Sequence, residues 1–326
     1  MIKELLPKNN ESVEEYQFRM SDNKKELNLS WNNISELLLE NFNKKVSKDF
    51  IRHEYYAKQK LHKIEKDKNN DYIQCLIMND IHIPYYREDI FDEIEKHKDV
   101  DYIIFGGDLI DCESCSYWAK WNHPSVNDEL ILAHEFISKI NTIVNPEKTK
   151  IICIRGNHEY RYTRMIMEMH EKQLQKMLNP NLLSMLEKGF TVYERDKDIT
   201  YKAINNFQYI DNWQTKLFNN LIIAHPTDFS NVEGSMCTKV ADYFLNEHIA
   251  EKDDVIIFGH THKHMSGFIN RRQGVYVVEN SCLCKEHEYA NTGKLKFTPQ
   301  NYGYTKIIFK ENEKIDINNI KCIYLK

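Results

Sequence analysis

Apolar and polar positions alternate in two different ways along the chain, and the change falls near residue 70. Before it, apolar residues recur at helical spacing and no strand is convincing. The first predicted helix covers roughly Val13 to Met20. The second opens at Ser30, a good N-cap, and carries Trp31, Ile34, Leu37, Leu38 and Phe42 on its stripe. The third opens at Ser47 and carries Phe50, Ala57, Leu61 and Ile64. The polar turn Asn43-Lys44-Lys45 separates the last two, which is the outline of a helix-turn-helix.

From residue 72 the pattern becomes short apolar runs between helical stretches. Tyr72–Met78, Tyr102–Phe105, Ile151–Ile154, Leu221–Ala224 and Val255–Phe258 read as buried strands. Glu88–Lys98, Asp128–Ile143, Tyr160–Met177 and Val240–Ala250 read as helices. A β-rich tail follows, with runs at Gly274–Val278, Tyr304–Phe309 and Ile320–Tyr324. Such alternation predicts a layered α/β domain. The expected division is 1–70, a helical module and linker, and 71–326, an α/β domain.

Charge adds a feature to the first segment. The 326 residues carry a net charge of -5, so the molecule as a whole is no polycation. Between Lys44 and Lys68, however, nine basic residues face four acidic ones. Lys44, Lys45, Lys48 and Arg52 are the candidate contacts to nucleic-acid phosphates. The competing reading is a solvated helix face followed by the charged linker Lys63–Asp71. With 41% hydrophobic and 29% charged residues, collagen-like and wholly disordered chains are excluded. No apolar run approaches the ~18 residues that cross a bilayer. Met1–Pro7 has no signal-like apolar region, and the eight cysteines are scattered among apolar runs, so a cytoplasmic protein with reduced thiols is expected.

The chemistry lies where the apolar runs stop. The five predicted strands run into Asn79-Asp80-Ile81-His82, Gly106-Gly107-Asp108-Leu109-Ile110-Asp111, Arg155-Gly156-Asn157-His158-Glu159, His225, and Gly259-His260-Thr261-His262. Carboxyl ends of strands are where α/β folds place ligands. In an extended segment residues i and i+2 point the same way, so Asp80 with His82, and His260 with His262, can face one pocket. The donors are carboxylate, imidazole and amide oxygen without thiolate, a set that suits Mn²⁺, Fe or Zn²⁺.

Taken in order, Asp80-x-His82, Gly107-Asp108-x-x-Asp111, Gly156-Asn157-His158-Glu159, His225 and Gly259-His260-x-His262 resemble the motif series of the calcineurin-like metallophosphoesterases. The resemblance covers roughly residues 72–310. It implies a metallophosphoesterase-type β-sandwich flanked by helices, with the small all-α segment as an addition. It further implies two divalent metal ions, Mn foremost with Fe, Zn, Ni or Mg as alternatives, sharing a hydroxide that attacks phosphorus. On this carry-over Asp80, His82 and His262 bind one ion, Asn157, His225 and His260 the other, and Asp108 bridges them. His158 matches the histidine that stabilises developing charge and protonates the leaving oxygen, and Asp111 would orient it.

Ser281-Cys282-Leu283-Cys284 and Gln300-Asn301-Tyr302-Gly303 are similar to tails of phage-type members, as is Asp111-Cys112-x-Ser114-x-Ser116. Calcineurin itself lacks the N-terminal module. Arg155 and Arg161 flank the third motif and are candidate grips for substrate phosphate, with a solvated helix face as the alternative for Arg161. Tyr117, Trp118 and Trp121 fit either a base-stacking channel or a packed lid. Cys112 and Cys115 read as reduced bystander thiols. The leading function is hydrolysis of phosphodiesters in nucleic acid or nucleotides. A protein or small-molecule phosphomonoesterase and a non-catalytic DNA-binding regulator are the alternatives.

Overall fold

A computed structural model of the chain describes residues 5–8, 11–52, 54–56, 72–117, 123–193, 197–269, 274–286 and 300–326. Two compact units emerge, Met1–Tyr72 and Ile73–Lys326.

In the first unit, α1 (Val13–Asp22) starts with a reciprocal cap: Glu15 N–H donates to Ser12 Oγ and Ser12 N–H to the Glu15 carboxylate. Ser30 and Asn33 cap α2 (Trp31–Phe42) in the same way. Asn43 ends it in the left-handed region, where an Asn is tolerated, at φ 53°. Residues 48–52 and 54–56 are again helical, with Ser47 Oγ accepting from Phe50 N–H. Tyr16, Met20, Ile34, Leu38 and Ile51 form the core of this unit. Phe50 is 55% exposed, so Ile51 and not Phe50 is the buried position. Ala57, Leu61, Ile64 and the Lys63–Asp71 linker lie outside the described residues. Lys44, Lys45, Lys48 and Arg52 are all exposed.

The second unit is the expected layered α/β fold, a sandwich of two sheets with helices outside. One sheet has the order β13-β12-β1-β2-β3-β6. Its strands are β1 (Tyr72–Met78), β2 (Tyr102–Phe105), β3 (Lys150–Ile154), β6 (Phe207–Ile210), β12 (Tyr302–Lys310) and β13 (Ile320–Leu325). The other sheet, β10-β11-β9-β8-β7, uses β7 (Gln214–Leu217), β8 (Leu221–Ala224), β9 (Val255–Phe258), β10 (Met265–Ile269) and β11 (Val275–Glu279). A small hairpin pairs β4 (Phe190–Tyr193) with β5 (Asp198–Tyr201).

Strand periodicity explains the layers. Cys75 and Ile77 of β1 pack with Ile104, Ile152, Ile223 and Ile257 between the sheets. Leu76 and Met78, on the opposite face, pack against α3 (Ile90–Glu95), α4 (Val126–Ile143) and α7 (Ser184–Lys188). Met236, Val240 and Phe244 of α8 (Ser235–Asn246) cover the outer face of the second sheet. Parallel pairing of β1, β2 and β3 aligns Met78 with Phe105 and Phe105 with Cys153, and β8 with β9 aligns Ala224 with Phe258. The strand ends in each sheet are therefore level, and their following loops meet.

The helix predicted over Tyr160–Met177 is two helices, α5 (Asn157–Met167) and α6 (Lys172–Met177). No residue of α6 is buried and Met167 is 61% exposed, so no continuous apolar stripe requires one straight helix. All eight cysteines are free thiols. Among the described residues no helix is long and apolar enough to cross a membrane.

Candidate metal centre

The loops after β1, β2, β3, β8 and β9 carry the clustered polar groups. Five of the metal candidates have positive φ: Asp80 (54°), His82 (51°), Asp108 (52°), His260 (91°) and His262 (56°). Such conformations cost energy and persist where the surroundings over-determine them. Close approach explains two of the glycines. A Cβ on Gly156 would collide with Asp108 Oδ1, and one on Gly107, at φ 94°, with the His225 ring.

Asp80, His82 and Asp108 bring potential ligand atoms within 4.8 Å of one another, and so do Asp108, His225 and His260. Asp108 is common to both groups. His225 Nε2 lies 3.0 Å from Asp108 Oδ2, and His82 Nε2 lies 3.8 Å from the same oxygen. Asp80 Oδ1 lies 3.4 Å from His262 Nε2. Asn157 Oδ1 stands 3.2 Å from His225 Nε2 and 2.7 Å from His260 Nδ1. All seven sequence-predicted metal positions thus converge. Asp80, His82, Asp108, His225 and His262 are buried.

The second nitrogen of several rings is already engaged. His82 Nδ1 is 2.9 Å from Asp111 Oδ1, and His225 Nδ1 donates to Gly106 O at 2.8 Å. With Nδ1 engaged there, Nε2 is the nitrogen of each ring that faces the carboxylates. His158 Nδ1 also reaches Asp111, 2.9 Å from Oδ1. Burial tends to raise the Asp80 carboxyl, but His262 and His225 outweigh it and hold it down at about 2. Burial likewise opposes ionisation of Asp108, yet His158 and His225 keep it well below the carboxylate range. Burial lowers His225, but Asp108 and Asp80 lift it to about 9. His260, buried and repelled by His225, falls to about 4. Two ionised carboxylates, an amide oxygen and four imidazoles, packed together, form a donor set that fits divalent cations.

Some neighbours take roles that the sequence reading did not assign to them. Glu159 is buried at the start of α5 and accepts from the N–H groups of Gly156 (2.8 Å), Ile110 (3.1 Å) and Asp108 (3.2 Å), tying two motif loops together. Burial and the Asp108 charge push its carboxyl up to about 7. Arg161 donates to His158 Nε2 at 2.8 Å and to Asp111 O at 3.0 Å, so its guanidinium reaches the ring nitrogen that faces Asp108. Arg155 pairs with Asp211 at 2.9 Å. It lines a cleft of about 480 Å³ that starts at Asn157 and His225 and continues past Tyr160, Trp213 and Lys239. A thiol, absent from the predicted donor set, also joins: Cys284 Sγ lies 3.8 Å from His262 Nδ1. Arg164 stacks on Tyr117 at 3.7 Å, while Trp118 and Trp121 lie outside the described residues.

Residues 73–264, more than half of the chain, match the family described as calcineurin-like phosphoesterase. The chain belongs to this family. Membership makes it a metal-dependent phosphoric ester hydrolase, and the buried His/Asp cluster is where the family's divalent ions would be held. Similar solved structures include Vacuolar Protein Sorting 29 from Cryptosporidium parvum, at 11% identity over 78% of this chain and 98% of that one, TM-score 0.37. The phosphoesterase Yfce from E. coli is 12% identical over 78% of this chain and 100% of that one, TM-score 0.33. A metallophosphoesterase from Sphaerobacter thermophilus is 10% identical over 78% and 89% respectively, TM-score 0.38. No curated protein matches the chain.

Proposed function

We propose that this family member hydrolyses phosphodiesters of nucleotides or nucleic acid. Asp80, His82 and His262 would hold one ion, Asn157, His225 and His260 a second, and Asp108 both. The observation that carries the dinuclear reading is the Asp108 carboxylate, which belongs to two donor groups at once. A bound pair of divalent ions supplies an activated water and neutralises phosphate charge. His158, with its Nε2 3.8 Å from Asp108 Oδ2, stands beside that centre as the group that gives a proton to the leaving oxygen. Asp111 holds the other side of the ring.

The cleft supports a diester over a bare phosphate. Its aromatic faces, Tyr160 and Trp213, suit a ring on one ester arm, and Arg155 and Lys239 suit neighbouring negative charge. Residues 1–70, with the basic stretch Lys44–Lys68, form on this reading a separate nucleic-acid-binding module of a phage-type member, and residues 71–326 the hydrolase. Mn²⁺ is the proposed physiological metal because hard oxygen and imidazole donors dominate the cluster. Incubating Mn²⁺-loaded protein with bis(p-nitrophenyl) phosphate, p-nitrophenyl phosphate and single- and double-stranded DNA tests the assignment. Turnover of the monoester alone would make the protein a phosphomonoesterase and remove the diester reading.

A further inference from the structure

The tail segment 281–284 and residue Gln300 converge on one metal-site histidine. The Gln300 side-chain amide nitrogen lies 2.6 Å from His262 Nδ1, 3.3 Å from Cys284 Sγ and 3.5 Å from Cys282 Sγ. Both thiols are completely buried. The backbone fixes this arrangement, since Cys282 N–H donates to Asn301 O at 2.9 Å and Asn301 N–H to His262 O at 2.8 Å. On its other side His262 turns Nε2 toward Asp80, 3.4 Å from Oδ1.

We infer that Gln300, backed by the Cys282 and Cys284 thiols, is a positioning residue that selects the tautomer of His262 able to ligate metal. The inference rests on the reading of His262 as a ligand. A neutral imidazole carries one proton. For Nε2 to offer its lone pair to a cation, that proton must sit on Nδ1, and a buried N–H needs an acceptor. A half-turn of the Gln300 amide exchanges its oxygen and nitrogen with no change of shape. With Oε1 facing His262, the amide accepts from Nδ1–H and from the Cys284 S–H, and the ring Nε2 is open to the cation. With the NH₂ end facing His262, the amide donates to Nδ1. The ring proton then moves to Nε2 and blocks ligation. Gln300 is therefore a latch on the ring proton: the structure places its NH₂ end against Nδ1, and the metal-competent setting is the acceptor end.

Two substitutions separate acceptor chemistry from packing. Gln300→Glu keeps only the acceptor, whereas Gln300→Leu keeps the approximate volume and neither function. Apo-protein of each is titrated with Mn²⁺ and its metal content measured. Gln300→Leu should bind one of two ions about 10–100-fold more weakly, the usual cost of losing such a partner, and Gln300→Glu should restore wild-type affinity. Equal affinities for wild type and Gln300→Leu, or equal weakening by Leu and Glu, would overturn the inference. The His262 ring nitrogens, read by ¹H–¹⁵N correlation without metal, provide a readout independent of loading. A change of tautomer signature in Gln300→Leu that Gln300→Glu reverses supports the latch, and one signature in all three proteins overturns it. Wild type that binds no ion but shows this change would instead refute the metal-centre reading alone.

Discussion

His158 Nε2 accepts a 2.8 Å hydrogen bond from the Arg161 guanidinium, one helical turn further along α5. Its Nδ1 lies 2.8 Å from Asp111 O and 2.9 Å from Asp111 Oδ1. Both ring nitrogens are thus fixed, Nδ1 as donor and Nε2 as acceptor. An incoming phosphate that draws Arg161 toward itself would free Nε2 to take up a proton, and the resulting imidazolium could then hand it to the leaving oxygen. Replacing His158 by Ala should leave two ions bound and lower kcat by about 10²–10⁴-fold, the range of a lost general acid. Metal analysis alongside kcat checks this. Wild-type turnover in His158→Ala would exclude the ring from proton transfer.

Gly156 is a packing requirement of the metal centre. A Cβ there would collide with both the backbone N and the Oδ1 of Asp108, so a methyl group displaces the carboxylate shared by the two donor groups. Gly156→Ala should cost about 1–3 kcal/mol of stability, as overpacking does, and should also release metal. Denaturation and metal content measured on the same sample check it. A variant as stable and as metal-replete as wild type would show that the loop has room to spare.

Glu129 gives the fold a pH dependence away from the metal ligands. Its carboxyl is buried on α4, with Oε1 accepting from Glu113 N–H at 2.9 Å and Oε2 without a hydrogen-bond partner among the described residues. Burial raises it from 4.5 to about 8, against the pull of the Glu113 and Cys112 N–H groups. Because the folded state holds this proton more tightly than the unfolded state, the stability it confers is full below about pH 4.5. That stability is lost progressively up to about pH 8 and is constant beyond. Glu129→Gln should remove this decline, whose slope is at most about 1.4 kcal/mol per pH unit. Urea denaturation of both proteins across that range reads it, and identical slopes would show that Glu129 does not titrate there.

The strands that position the site are readable in the sequence because they are buried on both faces. Ile222 and Ile223 face opposite layers yet are both fully covered, so β8 appears as an unbroken apolar run. Edge elements are not. In β7, Gln214 and Lys216 interrupt any apolar run, and in β5 Asp198 and Thr200 are exposed. The clustered donors were legible because each stands within a few residues of a buried strand end. Gln300 was not legible as a partner of His262, since 38 residues separate them and only the packing of the tail brings the amide to the ring. Arg161 shows the opposite limit. Its place beside His158 in sequence was visible, but its inward direction depends on the Asp111 carbonyl 50 residues away.

The exposed lysines of the first unit make a separate, electrostatic prediction. Lys44 and Lys45 follow the left-handed cap of α2, and Lys48 opens the next helical stretch, so three cations lie within five residues on solvent-facing positions. Among the described residues none of the three forms an ion pair, and Asp49 pairs with Arg52 at 3.8 Å. A phosphate backbone would release counterions on meeting them, with a salt dependence of about 0.9 in log–log slope for each phosphate neutralised. Combined Lys44→Gln, Lys45→Gln and Lys48→Gln substitution should weaken binding to duplex DNA to a similar degree for unrelated sequences. It should also flatten the salt slope by about 0.9 per lysine engaged. Fluorescence anisotropy at several salt concentrations measures both quantities. Unchanged affinity and slope would make these lysines an ordinary solvated face.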